Sequence, residues 1–169
     1  SFDAAFEGET LGRWPNGAGS NTLVSMTSST LGGENEGAQV GPVVISELIY
    51  HPLGAVEEAL EFVEICNTGS TTENLAHWRL RGGADFDFTA THELAPGGVL
   101  VLVSFDPLIN VAAAASFRIS YGISSGVTLV GPFLDGPLRN DEGSLRLQRP
   151  DQPPAGEPEF FPSVTEDGV

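Results

Sequence analysis

The chain contains no lysine; all seven of its basic residues are arginines, set against 23 acids for a formal charge of −16 over 169 residues. A field of that sign repels nucleic-acid backbones and anionic lipid, which excludes DNA, RNA and membrane-surface binding as expected functions. The charge suits cations, a basic partner or a solvated acidic surface. There is one cysteine, Cys66, so no internal disulfide framework exists, and its apolar surroundings predict a buried free thiol. No apolar run is long enough to span a bilayer, and no export leader is visible. The chain starts at Ser1 and stops after Asp167-Gly168-Val169, which reads as a fragment of a longer protein; a missing leader therefore says nothing about export.

Chemistry-bearing motifs are also scarce. No glycine loop followed by lysine cradles a phosphate, and Ser46 and Ser104 lack a nucleophile elbow or a paired histidine. His51, His77 and His92 stand far apart, without metal-ligand spacing.

What the chain does hold is short apolar runs ended by turn residues. Gly and Pro make up about a fifth of the sequence, which suits an all-β protein. Val43–Tyr50 predicts a central strand with Val43, Ile45, Glu47 and Ile49 on one face and Val44, Ser46, Leu48 and Tyr50 on the other. Further strands are expected over Leu60–Ile65, His77–Arg81, Asp85–Phe88, Leu94–Val103, Val127–Gly131 and Ser144–Gln148. Asp106-Pro107 predicts the cap of a short helix running through Ala112 to Phe117. One helix among many strands makes a parallel α/β sheet a poor fit and predicts a sandwich or barrel. Trp78 is expected in the core between two sheets.

Residues 43–150 resemble the lamin-tail family throughout. Glu47, Tyr50 and Pro52 match its opening strand, and Glu61-Phe62-Val63-Glu64 leading to Asn67 and Gly69 match its Glu-aromatic-aliphatic-Glu strand and Asn-x-Gly turn. Leu75 and Trp78 match the Leu and Trp before the next strand. Leu94, Pro96, Gly97 and Gly98 match a Leu-x-Pro-Gly-Gly turn. Leu138, Asn140 and Gly143 match a Leu-x-Asn-x-Gly turn, with one residue added because Asp141-Glu142 separate Asn from Gly. Single motifs are weak; five in order are fairly specific. The resemblance implies an immunoglobulin-like β-sandwich with one short helix. It also implies a non-catalytic accessory domain of the kind found in nuclear lamins and in large exported bacterial proteins, and hence an extracellular or cell-surface setting.

Three regions are expected. Residues 1–41 form an extended arm, or the end of a preceding module. Residues 42–150 form the sandwich. Residues 151–169 form an acidic, Pro-rich tail that includes the start of a closing strand. One sandwich edge is left open for the arm or another chain to pair.

The candidate sites are few. Asp85 with Asp87, and Asn140 with Asp141 and Glu142, are oxygen-rich turns suited to calcium, though neither matches a full calcium loop. Trp14, in the Gly/Pro-rich arm, is a candidate partner or carbohydrate contact; docking onto the sandwich is the plainer reading. Glu47 and Glu64 lie on neighbouring strands and are the only motive for a hydrolase; the plainer reading is that each accepts hydrogen bonds from turn amides or from Arg79, Arg81 or Arg146. The favoured function is an adhesive, spacer or protein-interaction module of a larger secreted or surface protein. The alternative is a calcium- or carbohydrate-binding accessory module attached to an exported enzyme.

Overall fold

The computed structural model describes residues 5–14, 23–53, 57–139 and 143–169. Among the described residues twelve strands follow in order: β1 (Leu11–Gly12), β2 (Val24–Ser25), β3 (Val43–Ile49), β4 (Phe62–Asn67), β5 (Glu73–Asn74), β6 (Arg79–Gly82), β7 (Phe86–Asp87), β8 (Glu93–Leu94), β9 (Val99–Val103), β10 (Thr128–Val130), β11 (Leu145–Pro150) and β12 (Ser163–Gly168). A 3-10 turn over Glu57–Leu60 precedes β4, and the helix α1 (Val111–Tyr121) joins β9 to β10.

Two four-stranded sheets, ordered β10-β9-β4-β3 and β12-β11-β6-β7, form the all-β sandwich the sequence predicts. Val43, Ile45, Val63, Ile65, Leu100 and Leu102 of the first sheet pack against Leu80, Phe86, Leu145 and Leu147 of the second, with Trp78 among them as expected. The first sheet has a second apolar face. Phe62, Val101, Val103 and Leu129 point away from the sandwich core and pack under Phe117 of α1. Both faces of β9 are therefore covered, which is why its sequence is an unbroken Val-Leu-Val-Leu-Val run.

Several expectations are corrected. β3 is an edge strand, paired only with β4 within its sheet. Its register slips at Ser46, so the simple alternation fails: Leu48 turns to the sandwich core, while Glu47 and Ile49 turn to the face that carries α1. One bulged residue reverses every side chain after it. The helix spans Val111–Tyr121, beginning after the expected Asp106-Pro107 cap and running on past Phe117, and Asn110 caps it, its Oδ1 accepting the Ala113 N–H at 3.1 Å. Asp106 caps the turn before it, accepting the N–H groups of Leu108 and Ile109. Gly122, left-handed at φ +64°, ends the helix, as the backbone reversal there requires. α1 also makes β9 and β10 a parallel pair in an otherwise antiparallel sheet.

The tail carries β12, antiparallel to β11. Its acids reach across to the free edge of β3: Asp167 Oδ2 accepts the Ile45 N–H at 2.8 Å, and Glu166 lies near the Val43 amide. Carboxylates thus occupy an edge that would otherwise offer its amides to another chain. The arm folds onto the same corner. β1 pairs with β2, Met26 is buried beside Gly12, and the Arg149 guanidinium lies 4.1 Å over the Phe6 ring.

Candidate functional site

The residues that carry the family-like motifs converge as structural clamps. Asn67 is fully buried at the end of β4. Its Nδ2 donates to the carbonyls of Thr71 and Leu94, both at 2.8 Å, and its Oδ1 accepts the Gly69 N–H at 2.9 Å. Its own carbonyl accepts the N–H of Gly97, which is left-handed at φ +70°, so the Asn-Thr-Gly and Pro-Gly-Gly turns lock together. Glu61, also buried, accepts the Leu138 N–H on Oε2 at 2.7 Å. The amide-accepting role expected of Glu47 and Glu64, with an arginine as the other option, is filled by Glu61, the first Glu of the Glu-Phe-Val-Glu motif.

Glu47 and Glu64 do face each other across β3 and β4. Ser46 Oγ donates to Glu64 Oε1 at 2.7 Å. Arg79, Arg81 and Arg146, offered as their partners, belong to the second sheet instead. Arg79 donates to Gln148. Tyr121 lies near Glu47; burial raises its phenol above the ordinary value, and the Glu47 charge adds to the shift. Ser104 donates to the Glu58 carbonyl, which leaves it tied to the backbone rather than to a base.

Asp85 and Asp87 both turn to Arg81. Its Nε stands 3.7 Å from Asp85 Oδ2, and its Nη2 pairs with Asp87. Asp85 Oδ1 also accepts the Gly82 N–H. A cation there would have to displace the guanidinium. Asn140, Asp141 and Glu142 lie outside the described residues. Among the described residues, no three His, Cys, Asp or Glu side chains gather as a metal-holding group.

His77 and His92 lie against different aromatic partners. His77 adopts φ +64° and stacks on Phe161 at 4.1 Å. His92 sits edge-on to Phe86 and Phe88, and burial lowers its pKa. Trp14 remains 41% exposed, and elsewhere on the arm the Phe6 ring lies under the Arg149 guanidinium. A cavity of about 360 Å³ opens at one end of the sandwich, lined by Leu48, Tyr50, Leu138, Leu145, Arg139 and Val169. Its lining is mainly apolar side chains, with no facing pair of acid and base among those described.

The feature sequence reasoning missed is the outer face of α1. Phe117, Ala114 and Tyr121 turn inward. Val111, Ala112, Ala115, Ser116, Ile119 and Ser120 turn to solvent, and none carries a charge. Leu108 and Ile109 continue this surface; they are 88% and 82% exposed, with Val111 at 67% and Ile119 at 81%. The legible signal was the Val-Ala-Ala-Ala-Ala run itself, because a helix whose one charged residue is Arg118 calls for cover on more than one side.

The family model described as Lamin Tail Domain matches residues 36–148. No curated protein matches the chain.

Proposed function

Taking as premise that the chain belongs to the lamin-tail family, whose immunoglobulin-like fold it adopts, we propose that it is a non-catalytic protein-interaction and spacer module of a larger exported or cell-surface protein. The family is one of interaction domains rather than enzymes. No helix among the described residues is long and apolar enough to cross a membrane.

The observation that carries the reading is the contrast between a chain of charge −16 and the uncharged, largely apolar shoulder on α1. A surface so rich in acids keeps an apolar patch in water at a cost unless a partner covers it. Among the groups weighed as catalytic in sequence, Glu64 accepts the Ser46 hydroxyl and Ser104 donates to the Glu58 carbonyl.

The test is location. Antibodies against this domain should label intact cells that express the full-length parent, and protease added outside should remove the label. Label that appears only after the cells are opened ends the exported-module reading.

Trp14 favours the second reading, a carbohydrate- or calcium-binding accessory module attached to an exported enzyme, because two fifths of its surface stays exposed on the arm. A glycan array probed with the chain and with Trp14→Ala separates the readings: signal lost with the indole supports the accessory module.

A further inference from the structure

We propose that the outer face of α1 is a self-association surface that joins two copies of this chain in an antiparallel, two-fold pair. The proposal rests on the interaction-module reading and names a first partner for it.

The spacing supports a second copy rather than an unrelated protein. Val111, Ala115 and Ile119 recur every fourth residue and form one ridge along the exposed face. Two such ridges packed antiparallel about Ala115 set Val111 of one copy against Ile119 of the other, twice by symmetry, with alanine methyls meeting at the centre. Ala112 and Ser116 on the neighbouring row are both small and exposed, which leaves room for close approach of the backbones. The Ser116 hydroxyl can return its hydrogen bond to the carbonyl one turn back, so covering it strands no donor. Leu108 and Ile109 extend the patch beyond the N-terminal end, where the last turn of the other helix falls. The pattern is self-complementary because its large residues lie at the two ends and its small ones in the middle.

Area and charge agree. The exposed fractions of Leu108, Ile109, Val111 and Ile119, together with the alanine methyls, amount to on the order of 600 Å² of apolar surface, the upper end for the largest patch of an ordinary monomer. Pairing two copies buries on the order of 1,200 Å², where specific interfaces begin. No charge is trapped in doing so. Asp106 is turned back to cap the Leu108 and Ile109 amides, and Arg118 is bonded to the Ser124 and Val127 carbonyls. Residues 107–121 themselves hold no acid for a basic partner to pair with.

The two copies each carry −16 and repel at long range, so this pair has a distinctive salt response. Added salt screens the repulsion and tightens the pair, whereas a contact made through opposite charges loosens.

Sedimentation of the 169-residue chain over a wide concentration range tests the proposal. The expected result is a mass rising from 17.7 kDa to twice that value, at lower concentration as salt is added. Ile119→Glu and, separately, Ala115→Arg should hold the mass at the monomer value while their melting temperatures match the parent. A parent chain that stays monomeric at every concentration overturns the self-pairing but leaves the module reading to its own cell-surface test. Dimers that persist in both variants, or that loosen with salt, overturn the assignment to this face.

Discussion

The Oε2 of Glu61 accepts the backbone N–H of Leu138 at 2.7 Å, across 77 residues of sequence and inside the core. One strand-leading carboxylate thereby anchors the loop that feeds β11. A buried amide robbed of its acceptor costs about 1–3 kcal/mol. Glu61→Ala should lower stability by about 2–3 kcal/mol, read as a fall in the urea midpoint with unchanged slope. Glu61→Gln keeps an acceptor oxygen and should lose clearly less. Equal losses in the two variants would mean that the charge, not the acceptor, holds the loop.

Asn67 makes a similar bridge with neutral groups. Its amide satisfies two carbonyls and accepts one N–H, all inside the turn where two motifs meet. Asn67→Ala should cost about 3 kcal/mol, the sum of three bonds at about 1 kcal/mol each. Amide hydrogen exchange should quicken first at Gly69, whose N–H loses its acceptor. Protection at Gly69 that survives the substitution would sink this account.

These two clamps show why the frame could be read from sequence. Glu61, Asn67, Gly97 and Leu138 are motif residues because backbone turns need their chemistry, and such needs leave marks at fixed spacing. The apolar run of β9 and the core Trp78 were legible for a similar reason, since burial dictates residue type. The bulge at Ser46 left no mark, because its effect lies in pairing with β4 and not in the residue itself. The position of β3 at an edge was hidden too: its amides are met by Glu166 and Asp167 from the far end of the chain, and no local pattern announces so distant a partner. The outer face of α1 was visible only as composition; that it faces outward depended on Phe117 choosing the opposite side.

Arg81 governs the described acidic turn. With its guanidinium paired to both Asp85 and Asp87, the turn is already neutralised in part. The melting temperature should therefore rise equally in calcium and in magnesium at matched ionic strength, as screening of a −16 chain requires. Arg81→Ala releases both carboxylates from the guanidinium, and a calcium-specific rise should then appear, since only a bound ion stabilises beyond screening. A calcium-specific rise already present in the parent chain would point to a site elsewhere and remove Arg81 as the controlling group.

Glu166 supplies the pH dependence. Its carboxylate is buried against Gly41, and burial raises its pKa above the ordinary 4.5; Arg149 at 2.9 Å and the Val43 amide pull it down without cancelling the rise. The folded chain therefore holds this proton more tightly than the unfolded chain does. The stability this confers is complete below about pH 4.5 and is lost as pH climbs through the raised folded value. The other acids also respond to pH, so the parent is compared with Glu166→Gln, which keeps the shape but cannot ionise. As pH climbs from below the ordinary 4.5 through the raised folded value, the parent should lose stability relative to Glu166→Gln. Arg149→Met removes the strongest opposing influence and should extend the loss to higher pH. Urea midpoints taken across the range decide the matter: a parent that gains on Glu166→Gln as pH rises would show that the Arg149 attraction outweighs burial.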